Sequence, residues 1–342
     1  MDKTSGKQVA VIGAGSWGTA LAKLLGEKGY DVHLWAHYAD HVAAINRDHE
    51  NAKYLPGFSL GAGIRASSEL EDVVSGQDFV LMVVPSHVYR SVFSRVLPHL
   101  REEAIVVSAT KGIEDESLMT MSRVMADELG RYGKKAAIGV LTGPSFAREV
   151  AAGIPTAVTV AAEKKEIAAA IQNVFHTERF RVYTSTDIIG QELGAALKNI
   201  VAIAAGICDG LGYGTNTRAA LITRGLAEIT RLGVKMGANP LTFSGLGGLG
   251  DLVLTCTGDL SRNRTVGLKL GQGKKLGEIL EEMEMVAEGV KTSRSAWKLA
   301  QREGVDMPIL EQIYKVLYED KSCRDAVISL LTRDQKQEME FS

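Results

Sequence analysis

Cysteine is scarce in this chain: Cys208, Cys256 and Cys323 are the only three among 342 residues, far apart and never in C-x-x-C spacing. That excludes a disulfide framework and reads as reduced thiols in a cytosolic protein. Charge of one sign is lacking too. With a net charge of −2 there is no broad basic field for nucleic acid or an anionic membrane, so any anion must be held locally. Nowhere do about 18 apolar residues follow one another without a charge, so no segment is expected to span a bilayer. The opening MDKTSGKQ is polar, and the apolar run behind it is too short for an export signal. The histidines show no H-E-x-x-H and no Cys/His cluster has zinc spacing, so no metal is expected. No repeat of solenoid period and no low-complexity linker occurs. What remains, 45% hydrophobic and 23% charged residues, is an ordinary enzyme composition, and the length favours two domains.

The most informative stretch is Val9 to Gly18, VAVIGAGSWG. Gly13, Gly15 and Gly18 give G-x-G-x-x-G, preceded by a short β-branched run and followed by good helix formers, so the expected context is strand, tight turn, helix. The first glycine permits the turn, the second lets backbone approach a pyrophosphate, and the third lets the helix pack on the strand. The diphosphate then meets a helix N-terminus, which favours anions. Spacing alone is weak evidence, because Gly245, Gly247 and Gly250 in SGLGGLGD repeat it with no strand before them. The second predicted strand, Asp31 to Trp35, has no acid at its end, where NAD-specific sites place one on the ribose 2′-hydroxyl. A 2′-phosphate would meet no repulsion there and His37 could donate to it, so NADPH is expected to be accepted. Read by itself, His37 is equally a solvent-facing loop residue.

As far as about residue 190, short β-branched runs alternate with helical stretches: VAVIG, DVHLW, FVLMVVP, AIVVSAT, AAIGVLTGP and TAVTVAA. This predicts a doubly wound, mostly parallel α/β sheet with ligands beyond the strand C-terminal ends. Polar punctuation stands at several of those ends: Pro85-Ser86-His87, Thr110-Lys111-Gly112 and Gly143-Pro144-Ser145. Helical patterns then take over. Ile188 to Gly206 is apolar around most of its girth and predicts a central buried helix. Further helices are expected over 217–232, 276–284, 292–303 and 309–319. LGYGTN at 211–216 reads either as a mobile loop or as a tight turn.

Lys198 is the sharpest residue of the second half. A lysine among small apolar neighbours on a central helix has its pKa lowered by desolvation and nearby cations, which suits proton transfer; the alternative is a lysine that snorkels to solvent. Ser261 is a plausible N-cap, so Ser261-Arg262-Asn263-Arg264 would offer free N–H groups and an arginine fork to one phosphate. It is equally a capped helix with a solvated basic turn. Lys111 and Ser145 come from strand ends facing the same crevice, and Asp251 reads as a helix cap or as a partner that orients a lysine.

These residues coincide with an ordered set of motifs: GAGSWGTALA, NAKYLPG, VVPSH, ATKGIE, LTGPSFA, ELGAALKNIVAIAAG, GLGGLGDLVLTC and SRNRTVG. Nearly end to end, the chain resembles the bacterial NAD(P)-dependent glycerol-3-phosphate dehydrogenases. The resemblance implies a Rossmann-type domain over 1–190 and an all-α C-terminal domain of the 6-phosphogluconate dehydrogenase type over 191–342. It implies NADP(H) or NAD(H) as cofactor, and reduction of dihydroxyacetone phosphate to sn-glycerol 3-phosphate for phospholipid synthesis. It implies cofactor contacts at Gly13, Gly15, Ser16, Trp17, Gly18, His37, Lys111, Ala147, Arg262, Val286 and Glu288. Substrate positions are Lys111, Gly143, Ser145, Lys198, Asp251, Ser261, Arg262 and Asn263. Lys198 matches the proton acceptor, with Lys111 and Asp251 beside it, and the family is often dimeric. The chain departs from the pattern at His37, where many relatives carry arginine. Two rivals stand beside this reading: another dehydrogenase of the same architecture acting on a carboxylate, and a non-catalytic NADPH-binding regulator.

Overall fold

The computed structural model describes residues 8–283, 287–335 and 337–338. Along the first half run β1 (Gln8–Ile12), α1 (Ser16–Glu27), β2 (Asp31–Trp35), α2 (Ala39–Asp48), β3 (Ile64–Ser67), α3 (Leu70–Val74), β4 (Phe79–Met82), α4 (Tyr89–Val96) and β5 (Ile105–Ser108). They are followed by α5 (Met121–Tyr132), β6 (Ala137–Thr142), α6 (Ala147–Ala151), β7 (Thr156–Ala162), α7 (Lys165–Phe175) and β8 (Phe180–Ser185). The strands form one sheet in the order β3-β2-β1-β4-β5-β6-β7-β8, parallel at every pairing except β6 with β7. Strand order reverses between β1 and β4, the place where a doubly wound sheet opens its ligand crevice.

Central strands are covered on both faces and therefore read as continuous apolar runs; β1 from Val9 to Ile12 and all of β4 are buried. One face packs against α1 and α7, with Leu21, Leu25, Ile171 and Phe175 in its core. The other packs against α3, α4 and α5, with Val73, Phe93 and Val124. Six of the eight strands announce themselves by such runs. β3 (IRAS) and β8 (FRVYTS) do not, because they are the two edge strands and alternate buried with exposed residues.

The second half is helical: α8 (Ile188–Gly210), α9 (Thr215–Lys235), α10 (Asp251–Thr257), α11 (Arg262–Gly271), α12 (Leu276–Glu281), α13 (Glu288–Glu303), α14 (Pro308–Tyr318) and α15 (Cys323–Leu331). α8 is buried without a break from Gly190 to Cys208, with α9, α10, α11, α13 and α14 packed around it. A Cβ on Gly206 would strike the Arg264 carbonyl and one on Gly267 the Ile203 carbonyl, so these glycines let α8 and α11 touch backbone to backbone. Among the described residues α8 is the one helix long and apolar enough to cross a membrane, with mean hydropathy 1.4, but 89% of that window lies inside the protein. The 211–216 stretch is a hydrogen-bonded turn: Gly212 sits at φ 78° and the Tyr213 N–H donates to the Cys208 carbonyl at 2.9 Å. The short α10 and α15 carry no long periodic pattern and were not legible in the sequence.

Candidate active site

At the β1–α1 turn, Gly13 adopts φ 121°, and a Cβ there would stand 2.8 Å from the Val83 carbonyl oxygen. Gly18 packs against the Gly13 carbonyl. Gly15 is different in kind: it is the N-cap of α1, carries no capping side chain, and a Cβ on it would meet nothing within 4 Å. Space above Gly15 and an uncapped helix start together fit a pyrophosphate. Ser16 Oγ donates to the Tyr54 carbonyl at 2.6 Å, and Asn51 Nδ2 donates to the Ala14 carbonyl at 2.9 Å, so the NAKYLPG segment is fastened over this turn. Trp17, Phe58 and Ala147 pack against the cluster of Ala20, Leu55 and Ala151. His37 is exposed just past the end of β2, edge-on to Tyr38 at 4.7 Å. The second glycine cluster serves packing: Leu246 to Gly250 form one wide helical turn, and Gly194 of α8 lies against the Gly247 carbonyl.

The chemistry-bearing residues meet at a single carboxylate. Asp251 opens α10 and is wholly buried. Its Oδ1 accepts from Lys198 Nζ of α8, and its Oδ2 accepts from Lys111 Nζ at 2.8 Å. Lys198 also donates to Thr255 Oγ1 at 2.7 Å, and Lys111 reaches the Gly143 carbonyl at 3.4 Å. Ser145 Oγ donates to that same carbonyl at 3.0 Å. Lys198 therefore does not snorkel; its side chain is 6% exposed. Burial pulls its pKa down to about 8, helped by the Lys111 charge and opposed by Asp251. Burial pushes the Asp251 carboxyl up, but the two ammoniums outweigh it and hold the group below its ordinary value. Thr255 escaped the sequence reading, although its place one helical turn after Asp251 was the available signal.

Across the crevice Ser261 caps α11, its Oγ accepting from the Arg264 N–H at 3.3 Å. The two arginines of this turn diverge. Arg264 is taken by Asp209 at 2.8 Å and Asp259 at 2.9 Å, whereas Arg262 is exposed and, among the described residues, makes no ion pair. Asn263 is buried and its Oδ1 accepts from the Gly289 N–H at 2.9 Å, which leaves its amide N–H groups to donate. Glu288 starts α13 beside Arg262; burial raises its pKa, while Arg262, Lys111 and Lys198 pull it the other way. Ala147 begins α6. Val286 lies outside the described residues.

Two side chains tie α8 to the first half of the chain. Gln191 Oε1 accepts from Thr142 Oγ1 at the end of β6 at 2.6 Å, and Glu192 Oε1 accepts from the Ser122 N–H in the first turn of α5 at 2.8 Å. An ammonium poised near neutrality, a carboxylate that orients it, a second ammonium and a helix start with an exposed arginine can together bind a phosphorylated ketone and pass it one proton.

Residues 8–168 match the family described as NAD-dependent glycerol-3-phosphate dehydrogenase N-terminus, and residues 187–328 match its C-terminus. A glycerol-3-phosphate dehydrogenase (NAD(P)+) of Geobacter sulfurreducens is 56% identical over 332 residues, covering 97% of this chain and 99% of the relative. One from Syntrophobacter fumaroxidans is 55% identical over 336 residues, covering 98% of each chain. The crystal structure of glycerol-3-phosphate dehydrogenase from Coxiella burnetii superposes with a TM-score of 0.92 at 41% identity, covering 96% of this chain and 99% of that one. A ketopantoate reductase of Ralstonia eutropha, at 17% identity and TM-score 0.60, shares the fold alone. The chain belongs to the NAD-dependent glycerol-3-phosphate dehydrogenase family.

Proposed function

We propose that this protein catalyses the reversible, NAD(P)H-dependent reduction of dihydroxyacetone phosphate to sn-glycerol 3-phosphate, with Lys198 as the proton donor and acceptor. The observation that carries the reading is the buried Lys198–Asp251–Lys111 constellation facing a capped helix start. The nicotinamide coenzyme, when bound, supplies the hydride. Gly13, Gly15 and Gly18, with Ser16 and Trp17, form the pyrophosphate cradle; His37 faces the adenosine end. Ala147, Val286 and Glu288 complete the coenzyme side. Arg262, Asn263 and the Ser261-capped helix start hold the substrate phosphate, so binding energy remote from the reacting carbon orients the ketone. Gly143 and Ser145 line the floor.

In reduction, negative charge grows on the ketone oxygen. Lys198 as an ammonium donates a hydrogen bond to that oxygen and then its proton, while Lys111 adds a second positive charge and Asp251 fixes the lysine. In oxidation, neutral Lys198 takes the hydroxyl proton. The same reading assigns coenzyme binding to 1–190 and catalysis to 191–342, in a cytoplasmic homodimer that supplies glycerophospholipid synthesis, with neither nucleic acid nor bilayer as a partner.

The test is a substrate panel: NADPH and NADH oxidation followed with dihydroxyacetone phosphate and with 3-keto acids. Turnover confined to the triose phosphate supports the proposal. Turnover of a keto acid moves the chain to a carboxylate dehydrogenase, and coenzyme binding without any turnover favours a regulator.

A further inference from the structure

The loop carrying Lys111 runs from Ser108 at the end of β5 to Met121 at the start of α5. Thr110 Oγ1 donates to the Val84 carbonyl at 2.7 Å, and Ile113 bridges Thr120. Ile113 is itself buried in the core of the helical domain. Two adjacent acids then anchor the loop in opposite directions. Glu114 turns to the sheet domain, where Arg90 of α4 grips it with a fork, Nε to Oε1 and Nη2 to Oε2, both at 2.8 Å. The Ser117 hydroxyl donates to Oε2 as well, and Arg90 Nη1 is held by Asp127 and Glu128 of α5. Asp115 turns to α13, accepting from Lys298 Nζ at 2.9 Å.

These anchors differ in strength. The Arg90 and Glu114 side chains are 23% and 14% exposed, and a two-donor fork is the stronger kind of charged hydrogen bond. Asp115 and Lys298 are about half exposed, where an ion pair contributes little. We infer that Arg90 and Glu114 are positioning residues for the proton-transfer step: without touching substrate or coenzyme, their fork sets where the Lys111 ammonium stands against Asp251. This rests on the proposed reaction. Around Lys198 the titratable groups are Asp251, Lys111, Cys256 and Glu288. Of these, Lys111 is the positive neighbour, so letting it drift raises the Lys198 pKa.

The experiment compares full-length wild type, Arg90→Lys, Glu114→Gln and the double variant. It measures kcat and KM for glycerol 3-phosphate oxidation across pH, together with NADPH affinity. Lysine keeps the charge but not the fork. Each single variant is expected to lose about tenfold in kcat, as a displaced catalytic group does, with coenzyme affinity nearly unchanged. The rising limb of kcat against pH is expected to move upward from about 8. The double variant falls no further than the poorer single one, because both changes cut one link. An unmoved limb overturns the inference, and so does loss of coenzyme binding in parallel with kcat or failure to fold, which mark a scaffold role. A wild type that does not oxidise glycerol 3-phosphate defeats the underlying reaction instead.

Discussion

Two lysines share one buried carboxylate, and the sharing is unequal. Lys198 lies deeper and has its pKa brought down to about 8, within reach of neutral solutions. The oxidative kcat is therefore expected to rise with pH through about 8, as neutral Lys198 becomes available, and the reductive kcat to fall over the same range. Asp251→Asn removes the carboxylate paired directly with the ammonium. Burial and Lys111 then outweigh what remains, and the oxidative limb is expected to shift below its wild-type position; a pH series of initial rates reads this directly. A shift upward would mean that Asp251 does not act on Lys198 electrostatically. His37 is exposed past the end of β2, where the proposed coenzyme site would meet a 2′-phosphate. Replacing it with arginine, whose fork can take two phosphate oxygens, is expected to raise the NADPH-to-NADH ratio of kcat/KM by about tenfold.

At the scale of the element, three of the proposed site residues stand where helices begin. Asp251 opens α10, Ser261 caps α11 and Glu288 opens α13, while α8 carries Lys198 and is hooked to β6 by Gln191 and to α5 by Glu192. Ser261→Ala is expected to cost about 1 kcal/mol of stability and to raise KM for dihydroxyacetone phosphate several-fold, since the cap holds in place the helix start proposed to bind the phosphate. Calorimetry and saturation curves separate the two effects. A helix start also governs pH stability. Glu228 of α9 is buried and accepts from the Ile309 N–H of α14 at 2.8 Å, and burial raises its pKa from 4.5 to about 7. The folded state thus holds a proton the unfolded chain releases. Its stabilising effect is full below about 4.5 and is lost as pH rises through about 7. Glu228→Gln is expected to remove that loss, so its urea midpoint should change less between pH 5 and pH 8 than that of the wild type.

Sequence patterns exposed some of these elements and hid others for definite reasons. Buried central strands and α8 show long apolar stretches, and the glycine turn shows its spacing, so their places were readable. Edge strands β3 and β8 alternate, and α10 is too short to show a period, so they were not. Lys198 could be singled out because a lysine amid alanines and isoleucines is conspicuous. Gln191, Glu192 and Arg90 could not, because their partners Thr142, Ser122 and Glu114 are far away in the chain, and Thr255 showed only its place one turn after Asp251, its lysine partner Lys198 being distant in sequence.

Across the whole molecule, the sheet carries the proposed coenzyme cradle at its strand reversal, and the helical domain carries the buried Lys198 and the α11 start proposed to hold the phosphate. Asp251 joins the halves by accepting from Lys111 of one and Lys198 of the other. The proposed chemistry therefore requires both halves seated together, and the Lys111 loop, with Ile113 in the helical core, is part of that seating. The most direct test of the central claim is the rate of NADPH oxidation with dihydroxyacetone phosphate by wild type and by Lys198→Ala, each paired with an NADPH titration. Wild-type turnover, with a fall of about a thousandfold in the variant and unchanged NADPH affinity, is the predicted result. A variant that turns over at the wild-type rate would contradict the account.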